Sequence, residues 1–171
     1  MMTDFSKYDQ QKAKWLSNSS NMNLPLLSWD VHLENLYTLS SLYKDLQNIK
    51  QLTHHMNVAV DIASELKDNG KVIVITDANL NIEFASANMF GMSGYLPSEM
   101  IGNTPKMLQG PETDKALSKK IRAHVNNCEP FEGVLANYKK NKSVYNCHIK
   151  GYPIFNKKGE LVRYVAVEQA A

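Results

Sequence analysis

The tract KVIVITD, residues 71–77, divides the chain. It is a run of apolar, mostly β-branched residues, the composition of a buried strand. After the short ANLN turn, IEFAS (82–86) returns as a second strand, so 71–86 reads as a hairpin. Whatever follows must build a sheet around that hairpin. NMFGMSGY and LPSEMIG are short helical turns; Gly94 closes the first, and Pro97 suits the first turn of the second. PETDKALSKKIRAHVNN (111–127) reads as a longer helix. Leu117, Ile121 and Val125 recur every fourth residue, and Pro111, Glu112 and Asp114 suit its N-terminus. Three strands close the chain: PFEGVLANYKK, KSVYNCHIKGYPIF and LVRYVAVEQ, joined by turns around Asn141 and NKKGE. This order predicts an α+β domain over 70–171, with a five-stranded antiparallel sheet and helices clustered on one face.

Before residue 70 the periodicity is helical. Residues 1–28 form a polar arm rich in Asn, Ser and Lys. A helical segment over 29–69 follows. Ser28 is placed to cap a helix running to about His54, and its apolar residues Leu33, Leu36, Leu39, Leu42, Tyr43, Leu46, Ile49 and Leu52 step by three and four along one stripe. Two readings of that stripe stand: a dimerisation surface between two copies, or packing on the chain's own sheet domain. A second helix is expected over Val58–Lys67, ended by Gly70 as a left-handed cap.

Composition narrows the function. The net charge of +2 in 171 residues creates no field strong enough for nucleic acid or an anionic membrane. Apolar runs such as Val72–Ile75 are too short to span a bilayer. The start MMTDFSKYDQQK lacks a basic, then apolar, secretory pattern, so a cytoplasmic location is expected. Cys128 and Cys147 form no C-x-x-C pair and are expected to be free thiols. No P-loop, G-x-S-x-G, zinc box or kinase set is present, and no catalytic role is expected.

The stretch VIVITDANLNIEFASANMFGMSGYLPSEMIGNTPKMLQGPETD resembles the light-oxygen-voltage (LOV) branch of the PAS domain superfamily. The resemblance rests on the hairpin, on the GY-x-x-x-E-x-I-G pattern and on LQGPETD followed by IR, and it covers about the last hundred residues. It implies a pocket for FMN or FAD between sheet and helices. It assigns Gln109 beside the ring, Asn137 and Asn146 to the pyrimidine edge and Gln169 to the reactive part of the ring. The two phosphate-binding arginines of the family fall on Arg122 and on Lys106, which keeps the charge without the guanidinium fork. The residue that would form a light-driven bond to the flavin is Pro105 here, preceded by Thr104, so the resemblance implies a flavin held without a thiol adduct.

The chemistry of these residues agrees with such a pocket. A flavin edge carries both donors and acceptors, and uncharged amides supply both. Each residue also has a plainer reading. Gln109 suits a loop bonded to backbone, Asn137 and Asn146 suit water-facing strand positions, Gln169 suits a fraying end, and Lys106 and Arg122 suit ordinary surface charge. Two functions therefore stand open. One is a sensory PAS domain with a flavin or another small molecule, acting on its helices or on a partner protein. The other is a ligand-free PAS-fold interaction module.

Overall fold

The computed structural model describes residues 26–68 and 70–171. The polar arm expected over 1–28 lies outside them but for its last three residues. Helix α1, Leu26–Leu52, begins in one compact unit of the chain (1–37) and ends in a second (38–171), which holds everything that follows.

The sheet has the predicted antiparallel architecture. Its long strands are β2 (Lys71–Asp77), β3 (Ile82–Ala85), β4 (Phe131–Tyr138), β5 (Val144–Phe155) and β6 (Leu161–Ala170). A two-residue strand, β1 (Asn57–Val58), joins the end of β5. The order is β1-β5-β6-β2-β3, with β4 on the first part of β5. The hairpin turn is built by Asp77, whose carboxylate accepts the N–H groups of Asn79 and Asn81 at 2.8 Å each.

One face of the sheet meets α1 and the short helix α2 (Ile62–Lys67). Ile49, Ile62 and Leu66 close on Ile73, Ile75, Ile154, Val165 and Val167, with Leu42, Leu46 and Leu52 at the margin. Two polar contacts fasten this layer. Asp45 accepts the Ala87 N–H at 2.8 Å, and Arg163 donates to the Leu52 carbonyl at 3.1 Å while its Nε pairs with Glu83. The other face meets helices α3 (Met89–Ser93), α4 (Pro97–Met100) and α5 (Lys115–Asn126), and the 3-10 turn Pro105–Leu108. Val72, Val74, Met89, Met100 and Leu108 form one cluster there, and Leu135, Cys147 and Ile149 another.

Several expectations are corrected. The stripe on α1 splits: Leu33, Leu36, Leu39 and Tyr43 are exposed, while Leu42, Leu46, Ile49 and Leu52 pack inward. Steps of three lag the helical turn by about 60° each, so a run of such steps drifts onto a new face. Val58, expected in the second helix, is a strand residue, because it extends the sheet edge beside Ile154. Gly70 is no left-handed cap; α2 ends at Asp68 in an extended conformation, and the Gly70 N–H turns back to the Asp68 carboxylate at 3.2 Å. Among the described residues no helix is long and apolar enough to cross a membrane.

Candidate functional site

The inner face of the sheet does not close completely. Helix α5 is started by Asp114, whose side chain accepts from the Ala116 and Leu117 N–H groups at 2.7 and 3.1 Å. Its apolar residues Leu117 and Ile121 settle against the Leu135 cluster. The loop ahead of it is pinned to β4. The Tyr138 hydroxyl accepts the Glu112 N–H at 3.0 Å, and Thr113 Oγ1 accepts the Gly110 N–H at 3.0 Å and donates to the Ala136 carbonyl. Gly110 lies so near the Tyr138 ring that a Cβ there would overlap it. This close approach holds Gln109 at the rim of a hollow.

That hollow is a cavity of about 480 Å³ between the sheet, the 3-10 turn and α5. Val74, Leu108, Ile121, Val125, Leu135, Ile149 and Ala166 supply apolar wall. Gln109, Asn137, Thr76 and Glu168 supply polar wall, and Lys106, Lys119 and Arg122 supply positive charge. Among the described residues, none of those three cations forms an ion pair. The size is in the range of small-molecule sites, and apolar walls with a few convergent polar groups are their usual make-up.

Of the residues singled out from sequence, Lys106, Gln109, Arg122 and Asn137 line this cavity. Asn146 and Gln169 do not, and their expected inward orientation is corrected. Both are exposed. Gln169 instead lies against Gly70, where its amide nitrogen would be 3.3 Å from an added Cβ. The reason is the period of a strand: consecutive residues face opposite sides. The pairing of Leu135 with Cys147 and of Ile149 with Glu168 places those residues inward, and so turns Asn146 and Gln169 out.

The inward positions therefore belong to Cys147 and Glu168, which the sequence reading missed. Cys147 is fully buried and Glu168 is 4% exposed. The thiol donates to Glu168 Oε2 at 3.6 Å. Burial pushes the Glu168 carboxyl up to about 7, against a small opposing effect of the Cys147 thiol. Burial, then the neighbouring Glu168, raises the Cys147 thiol, so it is a poor nucleophile. The Tyr145 hydroxyl is likewise raised by burial. Among the described residues two buried hydroxyls, Thr76 Oγ1 and Tyr145 OH, have no hydrogen-bond partner; the Asn137 amide lies near Tyr145 without normal bonding geometry. Leaving such groups unmet costs roughly 1–3 kcal/mol each. Pro105 opens the 3-10 turn and, with Thr104, lines the cavity.

An antiparallel meander cupped by short helices over a half-polar hollow is the architecture of PAS domains. Residues 68–169 match the PAS domain family model, and the chain belongs to that family. Phototropin-2 of Oryza sativa subsp. japonica is 32% identical over 114 residues, 63% of this chain, but the chain spans only 13% of that protein's length. A light-oxygen-voltage domain whose mechanism was probed with a flavin analogue superposes with a TM-score of 0.60 at 28% identity, covering 66% of this chain and 86% of the other. The light-state LOV domain of the blue-light photoreceptor Aureochrome1 superposes at 0.57, with 28% identity and coverage of 66% and 89%.

Proposed function

We propose that this chain is a non-catalytic sensory PAS domain that holds a flavin, FMN or FAD, non-covalently. The carrying observation is the cavity itself: apolar walls, an amide pair from Gln109 and Asn137, and the buried Thr76 hydroxyl, left without a partner among the described residues. The likeness to light-oxygen-voltage domains supports the same reading. The residues fit the group. Asn137 and Gln109 would meet the polar edge of the ring, Leu108, Ile121, Leu135 and Ile149 would enclose its body, and Arg122 with Lys106 would meet the phosphate. When bound, a flavin supplies blue-light absorption and reversible electron uptake.

The protein's own part is to bind, orient and exclude water. Pro105 offers no thiol and no backbone N–H. Cys147 is buried, with its proton held tightly. Adduct chemistry is therefore absent from this reading. Output would pass through β6, whose outward residues touch the α1 layer, to a change in helix packing or to a partner protein. The partner proposed for the exposed residues Leu39 and Tyr43 is a second copy of the chain. Replacing Leu39 and Tyr43 with Asp should then lower the mass seen by sedimentation equilibrium, and an unchanged mass rejects the dimer.

The flavin reading is tested by the absorption spectrum of the purified protein, before and after FMN is added and excess removed. A retained band in the blue, and flavin released on denaturation, is the expected result. A protein that stays colourless and leaves FMN fluorescence unquenched overturns it, and the ligand-free interaction module then stands. Arg122→Ala should weaken FMN about tenfold and leave riboflavin unchanged, since only FMN carries the phosphate.

A further inference from the structure

Glu168 is the least expected group in the cavity. It is a carboxyl on the inward face of β6, almost fully buried, and no basic side chain pairs with it among the described residues. Among the described residues its side chain's one hydrogen bond comes from a thiol, a weak donor. An ionised carboxylate with that partner alone would be poorly solvated, whereas a protonated one has an O–H that needs an acceptor.

The groups around it make the same demand. On β5, Tyr145 and Cys147 share its face; both are held protonated and neither supplies positive charge. On β4, Asn137 brings a neutral amide, and on β2 the facing residues are Val72 and Val74. Helix α3 carries no titratable side chain, and Glu99 of α4 pairs with Lys140 at the surface. Lys106, Lys119 and Arg122 come to the cavity from the 3-10 turn and α5 and form no ion pair with Glu168. Thr76 adds a further hydroxyl with no partner among the described residues.

We propose that Glu168 is a ligand-contacting residue that donates its carboxyl proton in a hydrogen bond to an acceptor on the bound ring, so that the cavity holds ligand and proton together and selects rings with an uncharged, acceptor-rich edge. The inference rests on the flavin reading above; the pyrimidine edge of a flavin, with its carbonyl oxygens and unprotonated ring nitrogen, meets that description. An amide in this place would bind without regard to pH. A carboxyl near neutrality makes binding a function of proton concentration, with the acid form competent and the ionised form excluded.

The test is a fluorescence titration of the purified protein with riboflavin, which has no phosphate to titrate, at pH 6, 7 and 8, for wild type and Glu168→Gln. Wild-type affinity should fall roughly tenfold from pH 6 to pH 8, as a competent fraction set by a midpoint near 7 requires. Glu168→Gln should vary less than about twofold and bind more tightly than wild type at pH 8. A flat wild-type profile, or the same slope in the variant, overturns this inference and leaves the flavin reading standing. No binding of riboflavin or FMN at any pH overturns the flavin reading and this inference with it. Should Glu168→Gln lose its near-ultraviolet circular dichroism, the wild-type profile decides, joined to infrared difference spectra of the complex at pH 8. A protonated carboxyl band that appears on binding supports the proposal, and its absence rejects it.

Discussion

On the outer face of the sheet, Ile73 and Ile75 meet Ile49, Ile62 and Leu66 with no exposed surface left on Ile73 or Ile75; on the inner face, Thr76 and Glu168 look into about 480 Å³ of space. The same strands build both. Residues of one parity in β2 and β6 close a dry layer, and those of the other parity line a hollow. The packed layer and the cavity wall are thus separated by a single residue step, and the two faces should answer differently to the same kind of change.

The largest expected effect is on the closed face. Ile75→Ala should cost about 2–5 kcal/mol in urea unfolding, because the packed layer cannot collapse onto the missing atoms. A loss below about 1 kcal/mol would show that the outer face is no tighter than the inner. Next comes the pH dependence of the ligand-free protein, which isolates Glu168. Its folded value lies above its unfolded one, so the folded state binds the extra proton. This contribution is complete below about pH 4.5, declines through about pH 7 and is then lost. The decline should amount to roughly 3 kcal/mol, and Glu168→Gln should remove that slope in denaturant midpoints measured from pH 5 to pH 8.

Asp45→Ala should cost about 1–3 kcal/mol, since the Ala87 N–H would lose its acceptor; a matching Asn variant should recover part of the loss in thermal melts. Asp114→Ala removes the cap of α5 and should cost about 1 kcal/mol, read by the same melts. The smallest stability change is expected from filling the hollow. Ala166→Leu should alter stability by no more than about 1 kcal/mol while abolishing the proposed flavin binding, which sets the inner face apart from Ile75 in one experiment.

The hairpin, the short helices, α5 and the closing meander could all be read from the sequence, because each carries its own local signal. The β-branched run at 71–77, Gly94 in its left-handed cap and Asp114 ahead of the Leu117-Ile121-Val125 repeat are such signals. Strand parity was harder. In β5 the signal was present: His148 and Lys150 share a face with Asn146, while Ile149 and Gly151 share one with Cys147, so the polar set faces outward. In β6 it was absent, because the α1 layer covers the outer face and both parities read apolar. Glu168 and Gln169 could not be told apart without the pairing to β5. Lys106, Gln109 and Arg122 reach the hollow from loop and helix, where no parity intervenes.

The double duty of β6 has a consequence for how this protein could change over generations. Tyr164, Ala166 and Glu168 belong to the hollow; Arg163, Val165 and Val167 belong to the helix layer. A segment with no idle side tolerates few replacements, so a variant library aimed at a new small-molecule preference would waste most of its members there. Helix α5 faces the hollow with Ile121 and Val125 and keeps its opposite flank in water. Diversity introduced at those two positions should yield far more folded members than the same diversity spread along the last strand.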